Sequence, residues 1–182
     1  MESLTIKLPS KEYSRIEATV VAMYEKLGID SVPIDPFNIA NRLGFVLRPY
    51  SQLPIEKQLQ LRKLECEAIN FYDPESGAFI ICYDDSFIYT RVRFTIMHEI
   101  GHILLEHKQE SQLARKMADY FAAYALAPSP LIHRFGCDDF VDVHNRFDVS
   151  VSCASACFQR YRNWLDYGGG WKPYEKTLLS LL

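Results

Sequence analysis

The chain has 182 residues, with 20 Lys+Arg against 23 Asp+Glu, a formal net charge of −3. Hydrophobic residues make up 48% and aromatics 13%, which excludes a disordered, collagen-like or low-complexity chain. The length suits one domain, or one domain plus a small appendage, and needs no disulfide staples to bury a core; the slightly acidic balance argues against nucleic-acid binding driven by phosphate neutralisation.

In chain order, residues 10–28 predict a helix. Ser10 stands as its N-cap, Ile16, Val20, Met23 and Leu27 recur at helical spacing, and Gly28 can close it in a left-handed turn. Asp35-Pro36 reads as an N-cap followed by Pro at the first helical position, opening a short helix over 37–43 that ends at Gly44. Phe45–Leu47 predicts a strand ended by Pro49, and the polar stretch 51–65 a loop or an exposed helical turn. Strand-like runs at 67–72 and 78–83 flank the turn segment Asp73-Pro-Glu-Ser-Gly77, a hairpin pattern, and Asp84 and Asp85 can cap the helix that follows.

Residues 90–107 predict a helix that is apolar over much of its surface. Phe94, Met97, Gly101 and Leu104 line one face and Ile96, Ile100 and Ile103 another, the pattern of a buried helix. Residues 111–127 predict a second one, with a bulky stripe (Leu113, Met117, Phe121, Tyr124) and a small one (Ala114, Ala118, Ala122, Ala125) that lets a neighbour approach; Pro128 and Pro130 stop it. Residues 138–164 read as two short helices around Phe147-Asp-Val-Ser150, Gly168–Gly170 as a break, and 171–182 as a terminal segment.

The five cysteines, Cys66, Cys82, Cys137, Cys153 and Cys157, are odd in number and contain no C-x-x-C pair. Together with the lack of a signal pattern over Met1–Pro9 and of any apolar run of membrane-spanning length, they predict a reduced, cytoplasmic protein with no membrane partner. Cys153 and Cys157, four apart on a predicted helix, read as buried small hydrophobes, with metal or redox use as the other reading. Arg160, Arg162 and Lys172 read as solvated surface charge rather than a basic patch.

The chemistry sits in His98-Glu99-Ile100-Gly101-His102. Residues four apart on a helix share a face, so His98 and His102 can bind one ion with two imidazole nitrogens. Glu99 lies about a hundred degrees round the helix from His98, where it can act on a water at that ion; this is the H-E-x-x-H pattern of zinc peptidases. A lone buried His is more often a hydrogen-bonded core residue. Here, however, three polar side chains fall inside one apolar helix, at a cost of several kcal/mol unless each is satisfied, and a metal satisfies them together. A catalytic zinc needs three protein ligands and an open position, and the helix over 111–127 is the expected source of the third.

Arg91-Val-Arg-Phe-Thr-Ile-Met-His-Glu-Ile-Gly-His102, followed by Ala118-Asp-Tyr-Phe-Ala-Ala-Tyr-Ala-Leu-Ala-Pro128, resembles the ImmA/IrrE family of metallopeptidases. Gly28-Ile-Asp-Ser-Val-Pro-Ile-Asp-Pro36 and Ile39-Ala-Asn-Arg-Leu-Gly-Phe45 extend the resemblance upstream. It implies an α+β, gluzincin-like metallopeptidase domain over 1–130, with a short antiparallel sheet packed on an active-site helix and a ligand helix. A helix-turn-helix-like appendage over 131–167 and a tail over 168–182 follow. It implies a Zn2+-dependent endopeptidase that cleaves a helix-turn-helix transcriptional repressor to relieve repression, with His98 and His102 as metal ligands and Glu99 as the catalytic base.

The chain departs from the family pattern E-x-x-A-[N/D]-x-F-A-A at one place. The Glu expected as third ligand is Arg115, and Met117 stands where a second Glu is common. Asp119, one turn beyond Arg115 on the same face, is the nearest carboxylate. It is taken as the third metal ligand, with a hydrogen bond to His98 or His102 as its other reading; Glu106 and Glu110 are weaker candidates. Without a third ligand the chain would be an anti-repressor that binds its partner without cutting it. The strand Phe79–Tyr83 is expected to offer its edge to the substrate, and Tyr83, Tyr120 and His133 are candidate oxyanion donors. The helices over 138–164 could touch DNA, but Asp138, Asp139 and Asp142 favour packing on the peptidase over direct nucleic-acid contact. The oligomeric state is left open.

Overall fold

The computed structural model describes residues 8–64, 66–109, 111–167 and 171–182. Glu110 and the expected break at Gly168–Gly170 lie outside them. Helix α1 (Ser10–Leu27) closes at Gly28 in the left-handed region, φ 58°, while Pro9 rather than Ser10 stands at its N-cap. In α2 (Pro36–Arg42) the Asp35 side chain accepts from the Phe37 amide, as Asp35-Pro36 predicts. Strand β1 (Val46–Pro49) runs into a 3₁₀ turn at Tyr50–Gln52, and the polar stretch after it forms α3 (Ile55–Lys63). The hairpin follows as β2 (Ala68–Asp73) and β3 (Ala78–Tyr83).

The two central helices are α4 (Tyr89–Leu104) and α5 (Gln112–Leu126). Asp84 and Asp85 do not cap α4, whose N-cap is Ile88. Asp84 accepts instead from Ser86 and from both arms of the Arg62 guanidinium at 3.0 Å, which fastens α3 to the end of β3, and Asp85 accepts from the Ser51 amide. A short helix, α6 (Ser129–Arg134), starts at the prolines that end α5, since Pro is well tolerated in a first helical turn. Then come α7 (Phe140–Phe147), α8 (Val151–Tyr167) and α9 (Pro173–Leu181).

The sheet has the order β1-β3-β2, and it corrects the expectation of a wholly antiparallel one. The β2–β3 hairpin is antiparallel, but β1 pairs parallel to β3. The chain reverses direction twice, once through the α3 segment and once at the hairpin turn, so β3 returns in the sense of β1 and slots between the two earlier strands. The side-chain period of two then divides β3. Ile81 joins the main core, whereas Ile80 and Cys82 face a small second cluster with Tyr50, backed by Leu61 of α3.

The main core links α1, α4 and α5 to Val143, Phe147, Ala154, Cys157 and Leu178 of the C-terminal helices. Arg93 of α4, 2% exposed, ties these parts together. Its guanidinium donates to the carbonyls of Ile34, Phe147 and Asp148 and pairs with the Asp148 carboxylate at 2.9 Å. Carboxylates do similar work elsewhere: Glu17 of α1 accepts from Tyr120, Tyr174 and Lys172, and Glu175 accepts from Trp164 Nε1 at 2.8 Å.

Helices α4 and α5 meet at Gly101. A Cβ added there would stand 2.9 Å from Cδ1 and 3.1 Å from Cβ of the fully buried Phe121, so the glycine is set by close packing. Overpacking costs about 1–3 kcal/mol, while Ala in place of Gly regains at most about 1 kcal/mol of helix propensity. Gly101→Ala is therefore expected to lower the thermal midpoint by several degrees; a midpoint equal to or above that of the unchanged protein would contradict the close approach.

Candidate metal centre

The α4 backbone sets His98 and His102 one turn apart, and their rings converge. His98 Nε2 and His102 Nε2 are 3.1 Å apart, a gap that two Zn–N bonds of about 2.0–2.1 Å span to a single ion. Each ring is held from its far side. His98 Nδ1 meets Asp119 Oδ1 of α5 at 2.9 Å, and His102 Nδ1 meets His107 Nδ1 at 3.0 Å. Asp119 thus stands at the nitrogen of His98 that faces away from His102, where a carboxylate orients a metal-binding imidazole.

Glu99 is 8% exposed, and its Oε2 accepts from Asn70 Nδ2 at 2.5 Å. The register explains how a residue of β2 reaches α4. Asn70 lies directly opposite Ile81, so both project from the sheet face that packs on the core. A cavity of about 410 Å³ opens beside these groups, walled by the start of β2, by α4 and by α5. Glu67 and Arg91 form a two-point ion pair on its wall at 2.6 and 2.7 Å, which holds the Glu67 carboxyl below the usual range. Cys66 also lines it, with its thiol pushed up by burial and donating to the Ala68 carbonyl.

The donor set fits a zinc ion through its two imidazoles, whose Nε2 atoms converge while hydrogen bonds at Nδ1 orient both rings. Among the described residues, no group of three His, Cys, Asp or Glu side chains is placed to hold a metal together. Arg115 lines the cavity where the family pattern implies a Glu. Glu106 is exposed.

A sequence model of the Peptidase M78 family, described as the IrrE N-terminal-like domain, matches residues 58–157. The chain belongs to this family. The match runs from α3 to the middle of α8 and so takes in both central helices, the hairpin and the α7–α8 turn. It makes the chain a member of a peptidase family, of the ImmA/IrrE type that the two sequence blocks resemble. A comparison with curated proteins found no match.

Several expectations change at the site. Strand β3 is central and paired on both edges, so it offers none to a substrate; of the two outer strands, β2 is the one that borders the cavity. Tyr83, Tyr120 and His133 do not line the cavity. Tyr120 donates to Glu17, and His133 meets the Tyr161 hydroxyl at 3.1 Å among Trp164 and Trp171. Sequence reasoning missed Asn70 and His107. The inward position of Asn70 in a strand of period two was a signal for the first; for the second, a His five residues beyond His102 was a weak one. The Ser150 hydroxyl accepts from the Cys153 amide at 3.2 Å and so caps the start of α8. All five cysteines are free, with Cys153 and Cys157 Sγ 3.9 Å apart.

Loss of a carboxylate that orients a metal-binding His weakens metal affinity by about 10–100-fold. Asp119→Ala is expected to weaken zinc binding to that extent in competition with a chelator while leaving the fold intact by circular dichroism. Affinity equal to that of the unchanged protein would remove Asp119 from the centre.

Proposed function

We propose that the chain is a zinc-dependent endopeptidase that cleaves a helix-turn-helix transcriptional repressor and so relieves repression. The observation that carries this reading is the convergence of His98 Nε2 and His102 Nε2 at 3.1 Å, with Glu99 on the next position of the same buried helix. Membership of a peptidase family supports it.

His98 and His102 would hold the ion, oriented by Asp119 and His107. A zinc ion bound there supplies Lewis acidity. Glu99 takes a proton from the attacking water on a carboxylate oxygen and returns it to the departing amine. The Asn70 amide fixes the direction of that carboxylate through Oε2. Burial in an apolar helix keeps bulk water from competing for the transferred proton.

The substrate lies along the outer edge of β2, where no further strand pairs among the described residues. Main-chain hydrogen bonds of an added strand then bring a peptide past Glu99. A protein rather than a nucleic acid suits the net charge of −3 and the acidic start of α7, with Asp138, Asp139 and Asp142. Free thiols throughout suit a reduced, cytoplasmic setting. No helix among the described residues is long and apolar enough to cross a membrane.

Arg115 favours a second reading, in which the chain binds its repressor without cutting it, because a guanidinium cannot serve as the third ligand. One experiment separates the two. The purified protein is loaded with zinc and incubated with a helix-turn-helix repressor, with and without a chelator. Cleavage that stops on chelation, and that Glu99→Gln reduces by at least about a hundredfold in rate, supports the peptidase. Complex formation with an intact repressor supports the anti-repressor instead.

A further inference from the structure

Helix α4 ends in a turn that returns the chain beneath its own second histidine. The His107 amide donates to the His102 carbonyl and the Glu106 amide to the Ile103 carbonyl. Glu106 itself is left-handed, φ 56°. This is the Schellman pattern, in which the residue two past the cap packs against the side chain five positions before it. Glycine normally takes the left-handed position, and a Glu there costs about 1–2 kcal/mol. At the two contacting positions of this turn stand His107 and His102, with ring centroids 4.9 Å apart and edge to face.

With neutral rings and an ionised Asp119, the three ring contacts set which nitrogen bears each proton. A neutral imidazole donates from one nitrogen and accepts at the other. His98 Nδ1 faces a carboxylate, so it donates, and His98 Nε2 is an acceptor. With both rings neutral, His102 Nε2 must then donate to it, and His102 Nδ1 must accept from His107 Nδ1. A metal ion between the two Nε2 atoms requires both to be bare. The His102 proton must then sit on Nδ1, and His107 Nδ1 must become its acceptor, with its own proton on Nε2. Proton number is conserved: each ring keeps one.

We propose that His107 is the positioning residue of His102, accepting a hydrogen bond from His102 Nδ1 so that Nε2 is presented bare to the metal beside His98. It does for the second histidine what Asp119 does for the first. The inference rests on the zinc-holding reading of the His98–His102 pair. Unlike a carboxylate, His107 can either donate or accept, so it serves the metal-free and the metal-holding arrangement in turn.

The test uses the full chain and zinc alone, by competition with a chelator. His107→Ala is expected to weaken zinc binding by about 10–100-fold. His107→Gln, whose amide oxygen can accept, recovers most of that loss, and His107→Phe, which fills the same space without an acceptor, does not. Equal affinity in the unchanged protein and His107→Ala, or equal recovery by Phe and Gln, overturns the proposal while leaving the zinc site standing. Should the variants fail to fold, nitrogen-15 spectra of the unchanged protein decide: zinc is expected to move the His102 proton from Nε2 to Nδ1, and a proton that stays on Nε2 overturns the assignment. No zinc uptake by the unchanged protein removes the zinc-holding reading itself, and this inference with it.

Discussion

The close contact of α4 with α5 at Gly101 governs the rest of the molecule. Phe121 lies against the one position of α4 that has no side chain, and Ala118, Ala122 and Ala125 of α5 are all fully buried. Two helices that approach so closely must hold a fixed rotation about their axes, because sliding either one would drive the Phe121 ring into backbone. That rotation decides which α5 residues face the histidines. Asp119 meets His98, and Arg115, one turn earlier, faces the cavity. The packing constraint and the chemical constraint are therefore the same contact seen from its two sides.

Polar groups buried with their partners hold the other elements to this pair. Arg93 reaches from α4 to the chain before α2 and to the α7–α8 turn, where Asp148 takes a left-handed conformation, φ 51°. Nearly all of its surface is out of water, so the three carbonyls and the carboxylate around it offset a desolvation cost of several kcal/mol. An apolar side chain in its place would leave those acceptors unsatisfied. Glu17 does the same between α1, α5 and α9. Neither set of partners shows in the sequence, since an amphipathic pattern says nothing of groups supplied from 54 to 157 positions away.

Local patterns account for what was legible in the sequence. Caps, prolines and a left-handed glycine act within one turn of chain, and Gly28, Asp35-Pro36 and the 73–77 turn segment behave as their chemistry requires. The His98–Glu99–His102 spacing is also local, and so is the stripe of alanines. The parallel pairing of β1 and the outer position of β2 depend on where the chain goes after each strand, which no window of residues records. The roles of Asn70 and His107 depend on cross-strand register and on a left-handed Glu106 that the composition of the turn disfavours. Asp119 was named from its helical spacing, but only the orientation of α5 could say which nitrogen of His98 it meets.

The cavity still suits a cation despite Arg115. Among the described residues its charged side chains are Glu67, Glu99 and Asp119 against Arg91 and Arg115, and Glu67 and Arg91 neutralise each other at 2.6 Å. Two carboxylates then face one guanidinium, leaving an excess of negative charge next to two imidazoles. Replacing a carboxylate by a guanidinium moves the local charge by two units, a change that at separations of several ångströms is worth kcal/mol even at an effective dielectric constant of about 20. The expected consequence is a metal held less tightly than in a site with three protein ligands, and a cavity better able to attract an acidic group of a bound peptide. Orientation of the imidazoles by Asp119 and His107 acts in the opposite direction, since rings already turned toward the metal lose less freedom when they bind it. On the zinc-peptidase proposal, hydrolysis therefore rests on two well-oriented imidazoles making up for a missing carboxylate.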